Sequence, residues 1–122
     1  MKYPFKKIKL SPYPFDVLVF YWTPIEELKQ WIQEEIPEQV VANPGAYKFD
    51  WEGRTIITDW WWIILWVKNK ATDPITYGYL VHEIFHCVEF LYNRVWLEYS
   101  IETGEWWAYM IQYILTKILD KK

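Results

Sequence analysis

The sequence predicts an α+β fold: an N-terminal β-α-β-β segment forming a twisted sheet of three to four strands, followed by two long helices. Three observations predict it. Short β-branched and aromatic runs, Phe15 to Trp22 and Arg54 to Val67, dominate the first half, and such runs bounded by turn residues favour strands. Apolar residues recur at helical spacing from Asp73 to about Trp96, and again from about Thr103 to Leu119. The 122 residues are 52% apolar and 24% charged, which suits one domain with its own core and excludes a disordered chain.

Pro12 and Pro14 punctuate the start, and the first strand runs through Phe20-Tyr21-Trp22. Thr23-Pro24-Ile25-Glu26 then places a hydroxyl, a proline and a carboxylate where a capping box needs them, predicting a helix through Glu35 that Pro37 closes. The Asn43-Pro44-Gly45 turn leads into a second strand, Tyr47 to Trp51, with Glu52-Gly53 as a hairpin turn. Arg54 to Val67 reads as one long or two short strands, apolar on both faces and therefore covered on both sides or lining a cleft on one. On the helix opened by Asp73-Pro74, Leu80, Ile84, Val88, Leu91 and Val95 share one side, and His82, His86, Glu89 and Asn93 the other. On the last helix Trp107, Ile111, Ile114 and Ile118 oppose Glu105, Tyr109, Gln112 and Thr116, so two polar stripes are available to face each other.

Aromatic residues make up 21% of the chain, enough buried area for a compact core without disulfides. The single cysteine, Cys87, cannot form an internal bridge. A net charge of −3 with no basic stripe excludes nucleic acid as the expected partner. Met1 to Leu10 lacks the apolar run of a signal peptide, and the apolar stretch Trp60 to Val67 falls far short of the roughly 20 residues of a membrane helix. A cytoplasmic location with no transmembrane segment is the expectation; the oligomeric state is left open.

His82 and His86 are the only histidines, and one helical turn separates them, so both imidazoles share a face. This is ligand spacing for zinc, which takes neutral imidazole and anionic ligands in a tetrahedral array and keeps one position open when catalytic. Glu83 lies about 100° round the helix, where a carboxylate reaches an activated water without being a ligand. A third ligand must be a carboxylate or Cys87, and Cys87 points about 140° from His82 into the apolar face, as a core residue would. Glu105 is the expected third ligand, Glu102 its rival; Glu89 suits a bond to a ligand imidazole better than ligation. Acidic residues near a helix N-terminus also stabilise its dipole without any metal. In metal-assisted hydrolysis Glu83 is the general base, and Tyr109 is the expected oxyanion donor, with Arg54, Arg94 or Tyr113 behind it.

His82-Glu83-Ile84-Phe85-His86, followed by Glu105-Trp106-Trp107-Ala108-Tyr109, resembles the gluzincin metallopeptidases, particularly the minimal single-domain ones and similar small HExxH proteins encoded in phage genomes. The resemblance covers roughly residues 46 to 120 and implies a small zincin-like domain. It implies Zn²⁺ held by His82, His86 and Glu105, with Glu83 as general base and a peptide or protein substrate. Where many gluzincins carry an aspartate four residues after the ligand glutamate, this chain has Tyr109. Zincin-like sheets offer an edge strand on which an extended peptide lies antiparallel above the helix, and a piece of Arg54 to Val67 would serve. Two other readings stand beside this one. The small size and aromatic excess suit a non-catalytic binding or assembly protein with a structural or vestigial metal site. A lipid-binding role rests only on the Trp and Tyr count and ranks last.

Overall fold

The computed structural model describes residues 5–42, 52–58 and 61–120. It is an α+β arrangement in which a four-stranded mixed sheet carries helices on both faces. The strands are β1 (Phe5–Lys9), β2 (Asp16–Tyr21), β3 (Gly53–Ile57) and β4 (Trp62–Val67). Their order across the sheet is β1-β2-β4-β3, with β2 and β4 parallel and the outer pairs antiparallel. Strand alternation sorts the side chains between two cores. Val17, Val19, Ile63, Leu65 and Val67 face one way, into a core shared with Leu80, Ile84, Val88 and Leu91. Leu18, Phe20, Ile64 and Trp66 face the other, against Leu28, Trp31 and Ile32. The continuous apolar run of β4 is thereby explained: Ile63 to Val67 are all at most 1% exposed because both faces are covered.

The second core is closed by α1 (Ile25–Glu35) and α2 (Pro37–Ala42), which lie in the connection between β2 and β4. The first is closed by α3 (Pro74–Arg94) and α4 (Gly104–Leu119). Asp73 caps α3: its side chain accepts from the Thr76 backbone N–H at 2.8 Å, and the Thr76 hydroxyl accepts from the Asp73 N–H at 3.1 Å. The bonds from Thr76 hold the Asp73 carboxyl below its usual range. Between α3 and α4, Trp107 packs against Tyr92 with ring centroids 5.3 Å apart, and the Tyr92 hydroxyl donates to the Trp106 carbonyl at 3.1 Å. Burial, with Tyr13 beside it, pushes the Tyr92 phenol up to about 12, so it remains a donor. Among the described residues, no helix is long and apolar enough to cross a membrane.

Several elements differ from the expected ones. The alternating Lys and apolar residues at the start form β1, so the chain begins β-β rather than β-α. Thr23 makes no capping box; Pro24 occupies the cap position. Thr23 is instead fully buried, its N–H donating to the Val67 carbonyl and its own carbonyl accepting from the Trp66 indole at 2.8 Å, so contacts to β4 override the local pattern. Pro37 starts α2 rather than ending the helical segment, as a proline at a first helical position can. Gly53 is the first residue of β3, paired with Val67, and not a turn residue. Arg54 to Val67 resolves into two antiparallel strands. The Asn43-Pro44-Gly45 turn and the Tyr47 to Trp51 strand lie outside the described residues.

Candidate functional site

The apolar face of α3 fixes where its other side chains point. Leu80, Ile84, Cys87, Val88 and Leu91 are fully buried in the core. Residues two positions from these turn outward or towards the neighbouring strand. His82 and His86 therefore stand on the outer face, and Glu83, on the flank, is driven against β3. Strand β3 is the edge of the sheet and runs alongside α3 in the same direction: Thr55 bonds Glu83, while the Thr58 carbonyl after the strand accepts from Arg94 at 3.3 Å.

The two imidazoles approach through their Nε2 atoms, 3.2 Å apart. The Nδ1 of His86 lies 2.9 Å from the Glu89 carboxylate. A carboxylate only accepts, so His86 Nδ1 donates, and the neutral ring then carries its lone pair on Nε2, turned towards His82. Two nitrogens each about 2.0–2.1 Å from a tetrahedral zinc stand about 3.3–3.4 Å apart. The observed separation, which is that of an N–H···N hydrogen bond between the two rings, is also close to that of two ligands of one ion, and Glu89 orients the His86 ring. Glu89 itself meets the far nitrogen of His86, the position for supporting a ligand rather than for being one.

Glu83 is only 7% exposed. Its Oε1 accepts from the Thr55 hydroxyl at 2.7 Å, and the same hydroxyl lies 2.9 Å from the Glu83 backbone carbonyl. Oε2 has no hydrogen-bond partner among the described residues. Gly53 makes the close approach possible: a Cβ there would sit 2.9 Å from the Trp66 carbonyl, 3.0 Å from Glu83 Cγ and 3.1 Å from Val67 Cγ1. Two clefts meet at this point. One, of about 230 Å³, is lined by Gly53, Arg54, Thr55, His82, Glu83, His86 and Phe90. The other, of about 540 Å³, is lined by Glu52, Gly53, Gly78, Tyr79, His82 and Glu83. Both run along the seam between β3 and α3, with Gly53, His82 and Glu83 common to both.

The remaining candidates lie elsewhere. Glu105 is exposed in the first turn of α4 and does not join the histidines; among the described residues, no three His, Cys, Asp or Glu side chains form a group able to hold a metal ion. Glu102 is exposed as well. Tyr109 is 65% exposed on α4 and lines neither cleft. The reason is geometric. α4 docks through Trp107, Ile114 and Ile118, the side opposite Glu105, Tyr109, Gln112 and Thr116, so its polar stripe faces solvent rather than α3. Of the alternative oxyanion donors, Arg54 lines the histidine cleft, Arg94 bonds the Thr58 carbonyl, and Tyr113 bonds the Lys9 carbonyl at 3.1 Å. Two residues were not among the expected site residues: Thr55, within the Arg54 to Val67 segment, and Gly53, expected as a turn.

Cys87 is fully buried beneath the site. Burial pushes its thiol well above the usual range and the Glu83 charge adds to this, while a bond from Thr55 pulls the other way. A thiol raised in the folded state contributes stability that is complete below its unfolded value of about 8.5 and drains away as pH rises towards the folded value. The native protein should therefore resist iodoacetamide at pH 8 and react at once in denaturant, with mass spectrometry as the readout. Rapid native labelling would show Cys87 to be accessible.

The fold and the site together define an α+β protein with a paired-histidine helix set against a sheet edge. No protein-family model, curated protein or solved structure matches this chain closely enough to indicate kinship.

Proposed function

We propose that this protein is a small zinc-dependent amide hydrolase of the peptidase type, zincin-like in arrangement, acting on an extended peptide. The observation that carries the reading is the His82–His86 pair, with Nε2 atoms 3.2 Å apart and Glu89 on the far nitrogen of His86, beside a buried glutamate in a cleft at a sheet edge. His82 and His86 would supply two ligands of the ion; among the described residues no carboxylate or thiol stands beside them as a third. Zinc bound there would supply Lewis acidity to a carbonyl and acidify a water towards about 7. Glu83 takes the proton of the attacking water on its carboxylate and returns it to the leaving amine. Thr55 keeps that carboxylate in place, and Arg54, on the wall of the same cleft, supplies positive charge where the carbonyl oxygen becomes anionic. The outer edge of β3 has no strand partner among the described residues, so its backbone groups suit an added antiparallel strand of substrate.

The zinc-loaded protein is expected to cleave unfolded polypeptide, to lose that activity to a chelator, and to recover it on addition of zinc. Activity unchanged by complete zinc removal would exclude the mechanism.

A second reading is favoured by one observation: among the described residues no carboxylate joins the two histidines in a group able to hold a metal ion. A two-histidine site lacking a protein carboxylate ligand suits a binding or assembly protein with a structural or vestigial metal. Zinc bound without any turnover, in wild type and Glu83→Gln alike, is the result it predicts.

A further inference from the structure

A cavity of about 1060 Å³ lies not between the histidines and β3 but beyond them, where α3 ends and turns into α4. Its walls are aromatic: Phe90, Tyr92, Trp96, Tyr99 and Trp107. Trp107 anchors the floor, its ring 5.3 Å from Tyr92 and 5.5 Å, edge to face, from Tyr99. Two carboxylates, Glu89 and Glu98, join Asn93, Leu97, Ser100 and Thr103 in the lining, and no lysine or arginine contributes to it. Glu89 is engaged by His86, whereas the Glu98 carboxylate has no hydrogen bond or ion pair among the described residues.

Trp96 is the most informative of these. It sits just past the end of α3 at φ 63°, the left-handed region where glycine normally ends a helix. Its indole is 89% exposed, so it adds almost nothing to the core. Neither backbone preference nor packing accounts for tryptophan at this position, but an aromatic face at the mouth of the cavity does. The charged side chains lining the cavity are of one sign, although the Trp107 indole N–H beside them is a buried donor without a partner among the described residues. Ring faces carry the negative side of the aromatic quadrupole, and the two carboxylates add full negative charge, so the enclosure attracts a cation and disfavours an anion.

The cavity is also the neighbour of the histidine cleft. The Phe90 ring lines both, stacking on His86 with centroids 6.3 Å apart and planes at 24°. Glu89 lines the cavity while holding His86 Nδ1.

We infer that this cavity is a binding site for the cationic side chain of lysine or arginine, placed to receive it from a peptide lying in the adjoining cleft. The placement in a substrate rests on the hydrolase reading; the cation binding does not. The two are tested separately. Metal-free protein is titrated with Nα-acetyl-lysine amide and Nα-acetyl-arginine amide, followed by tryptophan fluorescence and calorimetry, with Nα-acetyl-norleucine amide as the uncharged control. The cationic amides should bind at least about tenfold tighter than norleucine. Glu98→Gln and Trp96→Gly should each weaken binding of the lysine amide about fivefold or more. Trp96→Gly should not lower the melting temperature, because glycine accepts the left-handed backbone at no cost. Equal binding of norleucine, no binding of either cation, or binding indifferent to both variants overturns the inference. Zinc-loaded protein should then cleave a peptide with a single lysine about tenfold faster in kcat/KM than its norleucine counterpart. Cation binding with cleavage indifferent to the lysine overturns the placement in the substrate. Cation binding with no hydrolysis of any peptide sinks the hydrolase reading and leaves the cation site standing.

Discussion

Replacing Glu83 with glutamine is expected to lower the rate of peptide hydrolysis by about 10³-fold, within the range removed with a general base, while leaving bound zinc unchanged. The substitution keeps the size of the side chain and keeps an oxygen able to accept the Thr55 hydroxyl bond now made at 2.7 Å. It removes only basicity. Gly53 would still accommodate the side chain against β3, so no repacking is expected at the seam. The loss should fall on kcat with KM little altered, because the proton transfer occurs only on the way to the transition state. If the variant retained more than a tenth of the activity, the base would have to be another group. If it lost zinc as well, Glu83 would be acting on the ion and not on the water.

Truncation of its neighbour should do the opposite. Ile84→Ala is expected to destabilise the protein by about 2–5 kcal/mol, the range for removing a fully buried aliphatic side chain and leaving a cavity. Ile84 lies at 0% exposure in the core beneath the sheet, next to Glu83, which faces the cleft. Activity per folded molecule should be retained, since the substituted side chain points away from His82, Glu83 and His86. The internal control is Val81→Ala, one turn back on the exposed side at 40% exposure, which should cost about 0.5 kcal/mol or less. Chemical denaturation of the two variants reads the difference directly. Equal costs for Ile84 and Val81 would mean that α3 is rotated from the orientation on which the whole site depends.

The parts of the site that lie on one helix were legible in the sequence, because their geometry is local. Spacing alone places His82, His86 and Glu89 on one face and Cys87 in the core, and the wheel also separates Ile84 from the histidines. Contacts between elements were not legible. The bond from Thr55 to Glu83 depends on the register of an edge strand beside a helix 28 residues away in sequence, and Gly53 read as a turn because nothing local distinguishes a hairpin glycine from one that admits a carboxylate. Glu105 and Tyr109 illustrate the same limit. A helical wheel gives directions within a helix, not the rotation of one helix against another. Once α3 and α4 both commit their apolar faces to a common core, their polar stripes are turned apart rather than together. The α+β class and the two long helices survived translation into structure because their periodicity is local; in α3 Asp73 also caps as its sequence suggests, whereas Thr103 makes no side-chain cap on α4. Thr23 shows the converse, a good local pattern overruled by bonds to β4.

The proposal on which the rest depends is that His82 and His86 share one metal ion, a reading supported by their Nε2 separation of 3.2 Å. Metal analysis of the protein, purified without chelators and equilibrated with limiting zinc, tests it most directly. The account predicts about one zinc per chain in the wild type and almost none in His82→Ala or His86→Ala. Wild-type protein that retains no zinc, or histidine variants that retain it fully, would contradict it.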